Sequence, residues 1–132
     1  MKVIQQLIAY LEERGRLTPR QVHKLVVKGY WGQHSIADLR SLVTGVGKHF
    51  YFLVKGELGG AVWGSDVYTS DSALDTVCVH AGLLQPGESG VVKVTSVAPV
   101  PVFQGTDRNG VISQQWDRSW PGAYRVKLIR LT

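Results

Sequence analysis

Apolar residues recur at helical spacing near the start of the chain and at strand spacing toward its end. Val3, Ile4, Leu7, Ile8 and Leu11 line one face of a helix predicted over residues 3–14, with Gly15 as its stop. Thr18-Pro19-Arg20-Gln21 then combines a capping hydroxyl, a proline at the first helical position and a glutamine three residues after the cap. A second helix over 19–28 follows, apolar at Val22, Leu25 and Val26. A third short helix is expected from a Ser35 cap, burying Ile36, Leu39 and Leu42 or Val43.

Past Thr44-Gly45-Val46-Gly47 the pattern turns to β-structure. His49–Val54 and Ala61–Trp63 read as two strands around the break at Lys55–Gly60. A polar loop from Gly64 to Ser70 leads into an apolar helix, Ser72 to Ala81, capped by Ser70 or Asp71 and ended by Gly82. Val91–Thr95 is a strand suited to cover on both faces. Pro99 and Pro101 force an extended course, and Asn109-Gly110 supplies a turn before Val111–Ser113. Tyr124–Leu131 alternates as a closing, half-buried strand. The predicted class is α+β: an N-terminal helical segment over 1–45, then a domain over 46–132 with a central helix surrounded by antiparallel strands.

Charge sharpens that boundary. The net +5 divides as eight basic against three acidic residues over 1–48 and seven of each over 49–132. Arg16, Arg20, Lys24 and Lys28 form a basic group that is either a phosphate-contacting ridge of a helix-turn-helix or a solvated face. The ridge forms no obvious base-reading set with Asn or Gln partners, which favours the solvated reading. The three short helices are also similar in outline to helical adaptor modules found beside effector domains in bacterial conflict systems.

At 132 residues the chain buries one modest core or two small units and is short for a conventional multi-domain enzyme. No apolar run reaches the roughly eighteen residues of a membrane span, and the amino terminus lacks a signal-peptide core, so a soluble chain is expected. The single cysteine, Cys78, cannot form an internal disulfide, which suggests a reducing, cytoplasmic setting.

Candidate chemistry is sparse. Cys78 and His80 are two apart on a helix and do not face each other, so His80 is better read as a buried, backbone-bonded histidine than as part of a Cys-His-Asp set. Asp66, Asp71 and Asp75 lack the dense oxygen ligands of a calcium loop. No phosphate loop, nucleophile elbow or metal-ligand helix is present, and no cofactor, metal or catalytic residue is assigned.

Trp63-Gly64-Ser65-Asp66-Val67-Tyr68-Thr69-Ser70-Asp71-Ser72, His80-Ala81-Gly82, Arg108-Asn109-Gly110-Val111 with Ser113, and Trp120-Pro121-Gly122 occur in an order that resembles the LCCL family. The likeness covers about half the chain. It implies a helix wrapped by β-structure and a non-enzymatic binding module for a protein, a glycan such as lipopolysaccharide, or a lipid head group. Extracellular members carry four cysteines in two disulfides; here Asp75 stands where one is expected, so the chain resembles a disulfide-free, bacterial-type member. The candidate ligand surface lies where Gly64–Ser70 meets residues 106–120, with Asp66, Tyr68, Arg108, Asn109 and Trp116 combining stacking and polar contacts. Nucleic-acid binding through the four basic residues is the alternative.

Overall fold

The structure is a computed structural model and describes residues 39, 40 and 42–129. Among these, strands dominate: β1 His49–Lys55, β2 Gly64–Ser65, β3 Val67–Thr69, β4 Ser89–Val97, β5 Asp107–Arg108, β6 Val111–Ile112 and β7 Ala123–Leu128. One helix, α1 Leu74–His80, lies between β3 and β4. Five strands make an antiparallel sheet in the order β1-β4-β7-β3-β2, while β5 and β6 form a separate hairpin.

Inside the sheet, between β1 and β7, lies β4, whose run of β-branched residues suits a strand flanked on both edges. It pairs with β1 from His49↔Thr95 to Lys55↔Ser89 and with β7 from Val92↔Leu128 to Val97↔Ala123. Val91, Val92 and Val94 are buried. The strand ends at Val97, just before Pro99, because a proline has no N–H to give a neighbouring strand. Asn109 and Gly110 both take positive φ, 54° and 83°, which matches the strand twist across a tight hairpin and produces the β5–β6 turn that Asn-Gly predicts.

All seven residues of α1 are buried. Leu74, Val77 and Cys78 join Tyr68, Tyr124, Val92 and Val94 in the main core, which also takes in Leu39 and Val43. Gly82, at φ 77°, ends the helix, and the amides of Leu83 and Leu84 donate back to the Cys78 carbonyl. At the other end the chain before β2 crosses the first turn closely. The Gly60 amide donates to Thr76 Oγ1 at 2.9 Å, and a Cβ on Gly60 would stand 2.5 Å from both Ala73 Cβ and that hydroxyl. A second small cluster, Val67, Phe103 and Ala123, packs under Trp116 and Trp120.

Several expectations are corrected. The α+β assignment gives way to a mostly β structure with a single short helix, because β-branched and aromatic segments take up most of the described chain. The helix is shorter than Ser72 to Ala81, and neither Ser70 nor Asp71 caps it: Ala73 is the N-cap and makes no side-chain cap bond. Ser70 and Ser72 are committed elsewhere, the Ser70 amide donating to the Gly122 carbonyl and Ser72 Oγ accepting from the Trp63 amide. His49–Lys55 does not pair with Ala61–Trp63, since β1 and β2 occupy opposite edges of the sheet. The helices predicted over 3–14 and 19–28 lie outside the described residues. Of the third, only Leu39, Arg40, Leu42 and Val43 are described; the amides of Leu42 and Val43 donate to the Leu39 carbonyl, and Leu39 and Val43 are buried while Leu42 is exposed.

Gly64 follows Trp63 for a steric reason. Its φ is 98°, and a Cβ there would run into the Val67 carbonyl oxygen and the Phe103 ring. Gly64→Ala should therefore destabilise the chain by about 2 kcal/mol or more in urea denaturation, whereas Gly87→Ala, at φ 84° with nothing within 4 Å, should cost only about 1 kcal/mol.

Candidate functional site

The interior polar groups form one connected set around the C-terminal end of α1. Tyr68, on the three-residue buried strand β3, turns its hydroxyl to His80 Nδ1 at 2.9 Å, with the two rings edge-on at 5.6 Å. The other ring nitrogen, Nε2, lies 3.0 Å from Thr106 Oγ1 and 3.2 Å from the Thr106 carbonyl. The arrangement suits a neutral imidazole whose Nε2–H donates to Thr106 while Nδ1 accepts from the phenol. Asn109 Nδ2 donates to the His80 carbonyl at 3.0 Å, and Tyr124 donates from its hydroxyl to the Ser72 carbonyl at 2.9 Å.

Burial sets the acid–base behaviour of these groups. It holds the His80 imidazole below its usual 6.5, with the Thr106 backbone pulling in the other direction. It pushes the Tyr68 phenol up to about 12, partly countered by the Asp66 backbone. Tyr124 is raised further above the usual tyrosine range, and the buried Cys78 thiol is pushed up as well, first by desolvation and then by Asp75. A raised thiol pKa removes the thiolate, so Cys78 is a packing residue and not a nucleophile. His80 has both ring nitrogens engaged inside the fold, as the backbone-bonded reading requires.

The five predicted surface residues are dispersed. Asp66, in the left-handed region at φ 67°, projects from the β2–β3 turn, and its Oδ1 accepts from Arg108 NH1 at 2.9 Å. The pair is solvated, with side chains 65% and 40% exposed, which limits its strength. Tyr68 is fully buried and faces His80. Asn109 borders an open depression of about 420 Å³ beside the helix end, lined also by Val79, Leu83, Leu84, Pro86 and Glu88. Trp116 sits apart from them: its backbone exchanges both hydrogen bonds with Phe103, at 2.7 and 2.9 Å, and its ring meets Trp120 edge-on at 5.9 Å. Arg16, Arg20, Lys24 and Lys28 lie outside the described residues.

A second concavity surrounds Trp116. Trp63, Thr69, Asp71, Trp116 and Trp120 enclose about 130 Å³. Two of these walls are fixed by their own polar atoms, Trp120 Nε1 donating to Ser70 Oγ at 3.0 Å and Thr69 Oγ1 sharing a 2.8 Å hydrogen bond with Ser72 Oγ. Asp71 Oδ1 and Trp116 Nε1, both buried, have no hydrogen-bond partner among the described residues. From sequence, Trp63, Trp116 and Trp120 can be read as an aromatic platform for a ring-bearing ligand, whereas Asp71 reads only as a helix cap or a rejected calcium ligand. The signal available was four tryptophans in 132 residues with three of them near one motif set.

Among the described residues no cluster of three or more His, Cys, Asp or Glu is placed to hold a metal ion, and no helix is long and apolar enough to cross a membrane. A short helix buried against an antiparallel sheet, with its end pinned through a histidine and the glycine-bearing motifs at tight turns, defines a small β-rich domain.

Comparison with known proteins gives this class its family. Residues 54–122, just over half of the chain, match the LCCL domain family, and the chain belongs to it. It is similar to the transcriptional regulatory protein rxt3 of Schizosaccharomyces pombe, 35% identical over 65 residues, covering 46% of this chain and 18% of that protein. It is also similar to Limulus clotting factor C of Carcinoscorpius rotundicauda, 34% identical over 71 residues, 54% of this chain and 7% of that protein. Clotting factor C of Tachypleus tridentatus is 38% identical over 56 residues, 42% of this chain and 5% of that protein. The chain thus spans less than a fifth of the length of each of these relatives.

The His80 environment has a pH consequence. The folded state holds the imidazole below 6.5 and the unfolded chain does not, so between those values the unfolded state binds more protons and stability rises with pH. The His80 contribution should be complete above about pH 6.5 and lost as the pH falls through the folded value. Urea denaturation at stepped pH should show that loss in the wild type. His80→Gln should be less stable at neutral pH by about 1–3 kcal/mol and should lack this part of the slope.

Proposed function

We propose that the chain is a non-enzymatic recognition module that binds a protein, glycan or lipid-head-group partner through the tryptophan-bearing side of the domain, with a glycan favoured. The observation that carries this is the contrast between its two polar regions. Around His80 both ring nitrogens and the carbonyl are met from within the chain. Around Trp116 a buried carboxylate oxygen and a buried indole N–H find no partner among the described residues. Leaving such groups unmet costs about 1–3 kcal/mol each, so a site that retains them is better suited to an outside ligand than to stability. The relatedness to two clotting factor C proteins supports a recognition role, with lipopolysaccharide among the glycans to be tried. Reading residues 46–132 as the recognising part belongs to the same proposal, as do a bacterial-type origin and a cytoplasmic setting; the last is motivated by the buried, unpaired Cys78.

A second reading is supported by the charge excess of residues 1–48 and by the relative titled a transcriptional regulatory protein: nucleic-acid binding through Arg16, Arg20, Lys24 and Lys28. Salt separates the two. Four phosphate contacts lose on the order of 100-fold in affinity between about 50 and 200 mM salt, whereas a neutral glycan site changes little. The full chain should be tested on a glycan array including lipopolysaccharide, and against duplex and single-stranded DNA, at both salt concentrations. Salt-insensitive glycan binding is the expected result; binding only to DNA with a steep salt slope would replace the glycan reading with the second.

A further inference from the structure

We infer that the pocket between Trp63, Trp116 and Trp120 is a monosaccharide subsite, taking the edge of one neutral, hydroxyl-bearing ring. The inference rests on the glycan reading above and narrows it to one place and one kind of chemistry. Its basis is the mismatch in the polar inventory of the pocket wall. Thr69 and Trp120 have used their polar atoms on Ser72 and Ser70. What remains is one acceptor, Asp71 Oδ1, and one donor, Trp116 Nε1. Both belong to residues that line the same 130 Å³ space.

That pair selects among ligands. An aliphatic group leaves both atoms unmet. A phosphate or carboxylate can accept from the indole but meets Asp71 with like charge and brings no proton to it. A methylated ammonium, the usual guest of aromatic walls, suits the carboxylate but has no lone pair for the Trp116 N–H. A hydroxyl does both, donating to Asp71 Oδ1 and accepting from Trp116 Nε1. Neighbouring hydroxyls on a sugar ring can divide the two tasks, and the C–H faces of such a ring suit indole walls. The volume limits the guest to about one ring edge, so a longer glycan would lie with a single residue inserted.

The walls are held in register before any ligand arrives. Trp116 is tied by two backbone bonds to Phe103, itself fully buried, and Trp120 by its bond to Ser70, whose amide is bound to Gly122. The Gly122 approach is tight: a Cβ there would stand 2.6 Å from the Val43 carbonyl oxygen and 3.1 Å from Ser70 Oγ. A preorganised wall spends little entropy on binding, which matters for a guest as small as one sugar.

The test uses the full chain labelled with ¹⁵N, with the indole N–H signals assigned through single Trp→Phe variants. Methyl glycosides of glucose, galactose, mannose and N-acetylglucosamine are titrated in turn, with choline and inorganic phosphate as competing chemistries. At least one glycoside is expected to shift the Trp116 indole signal saturably at millimolar concentration, and neither choline nor phosphate to do so. Trp116→Phe, which keeps a ring and removes the N–H, should weaken that glycoside at least tenfold, as should Asp71→Ala; thermal unfolding of each variant shows whether it is folded. A Trp116 shift with choline and none with any glycoside would overturn the inference in favour of a cation cage. No shift with any probe, together with a Trp116→Phe variant at least as stable as wild type, would mark the two atoms as structural only. If the glycan array is positive for the full chain but unchanged by Trp116→Phe, the subsite is wrong while the glycan reading stands. A negative array removes both.

Discussion

The carboxyl end of a seven-residue helix is tied to three separate parts of the domain through one histidine. His80 joins β3 through Tyr68, the strand-poor stretch before β5 through Thr106, and the β5–β6 turn through its own carbonyl and Asn109. A helix of two turns has little stability of its own, so it persists because its whole surface is covered and its last residue is hydrogen-bonded on three sides. The sole cysteine is free and buried, so in this chain polar connections and packing do what disulfides do elsewhere. The constraint is directional: a neutral imidazole, with an acceptor on one nitrogen and a donor on the other, meets the Tyr68 hydroxyl with the first and Thr106 with the second.

From that constraint the rest of the layout follows. Tyr68 must point inward to reach His80, and β3 is accordingly buried along its length. Its neighbour β7 brings Tyr124 beside it, ring centres 6.2 Å apart, and Tyr124 in turn donates to Ser72 at the approach to the helix. Opposite the sheet, the chain around Gly60 closes over the first turn, where Thr76 accepts its amide. The helix is thus gripped at both ends by groups that leave no room for a longer one. This is why a start signal at Ser70 and Asp71 yields no cap: Ser70 and Ser72 are drawn into contacts with Gly122 and Trp63, and helical geometry begins only after Ala73.

The parts of this arrangement that sequence reasoning reached were those fixed by local chemistry. Asn109-Gly110 demands a tight turn, Gly82 a helix stop, and Pro99 an end to β4; each is found. The alternation through Tyr124–Leu128 likewise appears in the burial of β7. What sequence reasoning missed was set by partners far along the chain. Neighbouring segments such as His49–Val54 and Ala61–Trp63 suggest a hairpin, but β4 outcompetes the closer segment for β1 because it offers seven registered pairs. The weight given to helices overstated their share, since periodicity in a short apolar run does not separate a buried helix from buried strands.

The candidate surface shows the same division. Proximity in the motif order brought Asp66 and Arg108 together correctly, and they pair. Tyr68 lies on β3, all three residues of which are buried, and so cannot share that surface. Sequence reasoning groups Trp116 with Asp66, Tyr68, Arg108 and Asn109, yet its companions are Trp63, Asp71 and Trp120, brought together by the isolated bridges Trp63↔Gln114 and Phe103↔Trp116. A polar atom buried without a partner is costly wherever it occurs. In a domain that answers the polar demands around His80 from within, the two groups beside Trp116 that have no partner among the described residues stand out, and the proposed recognition face rests on that contrast.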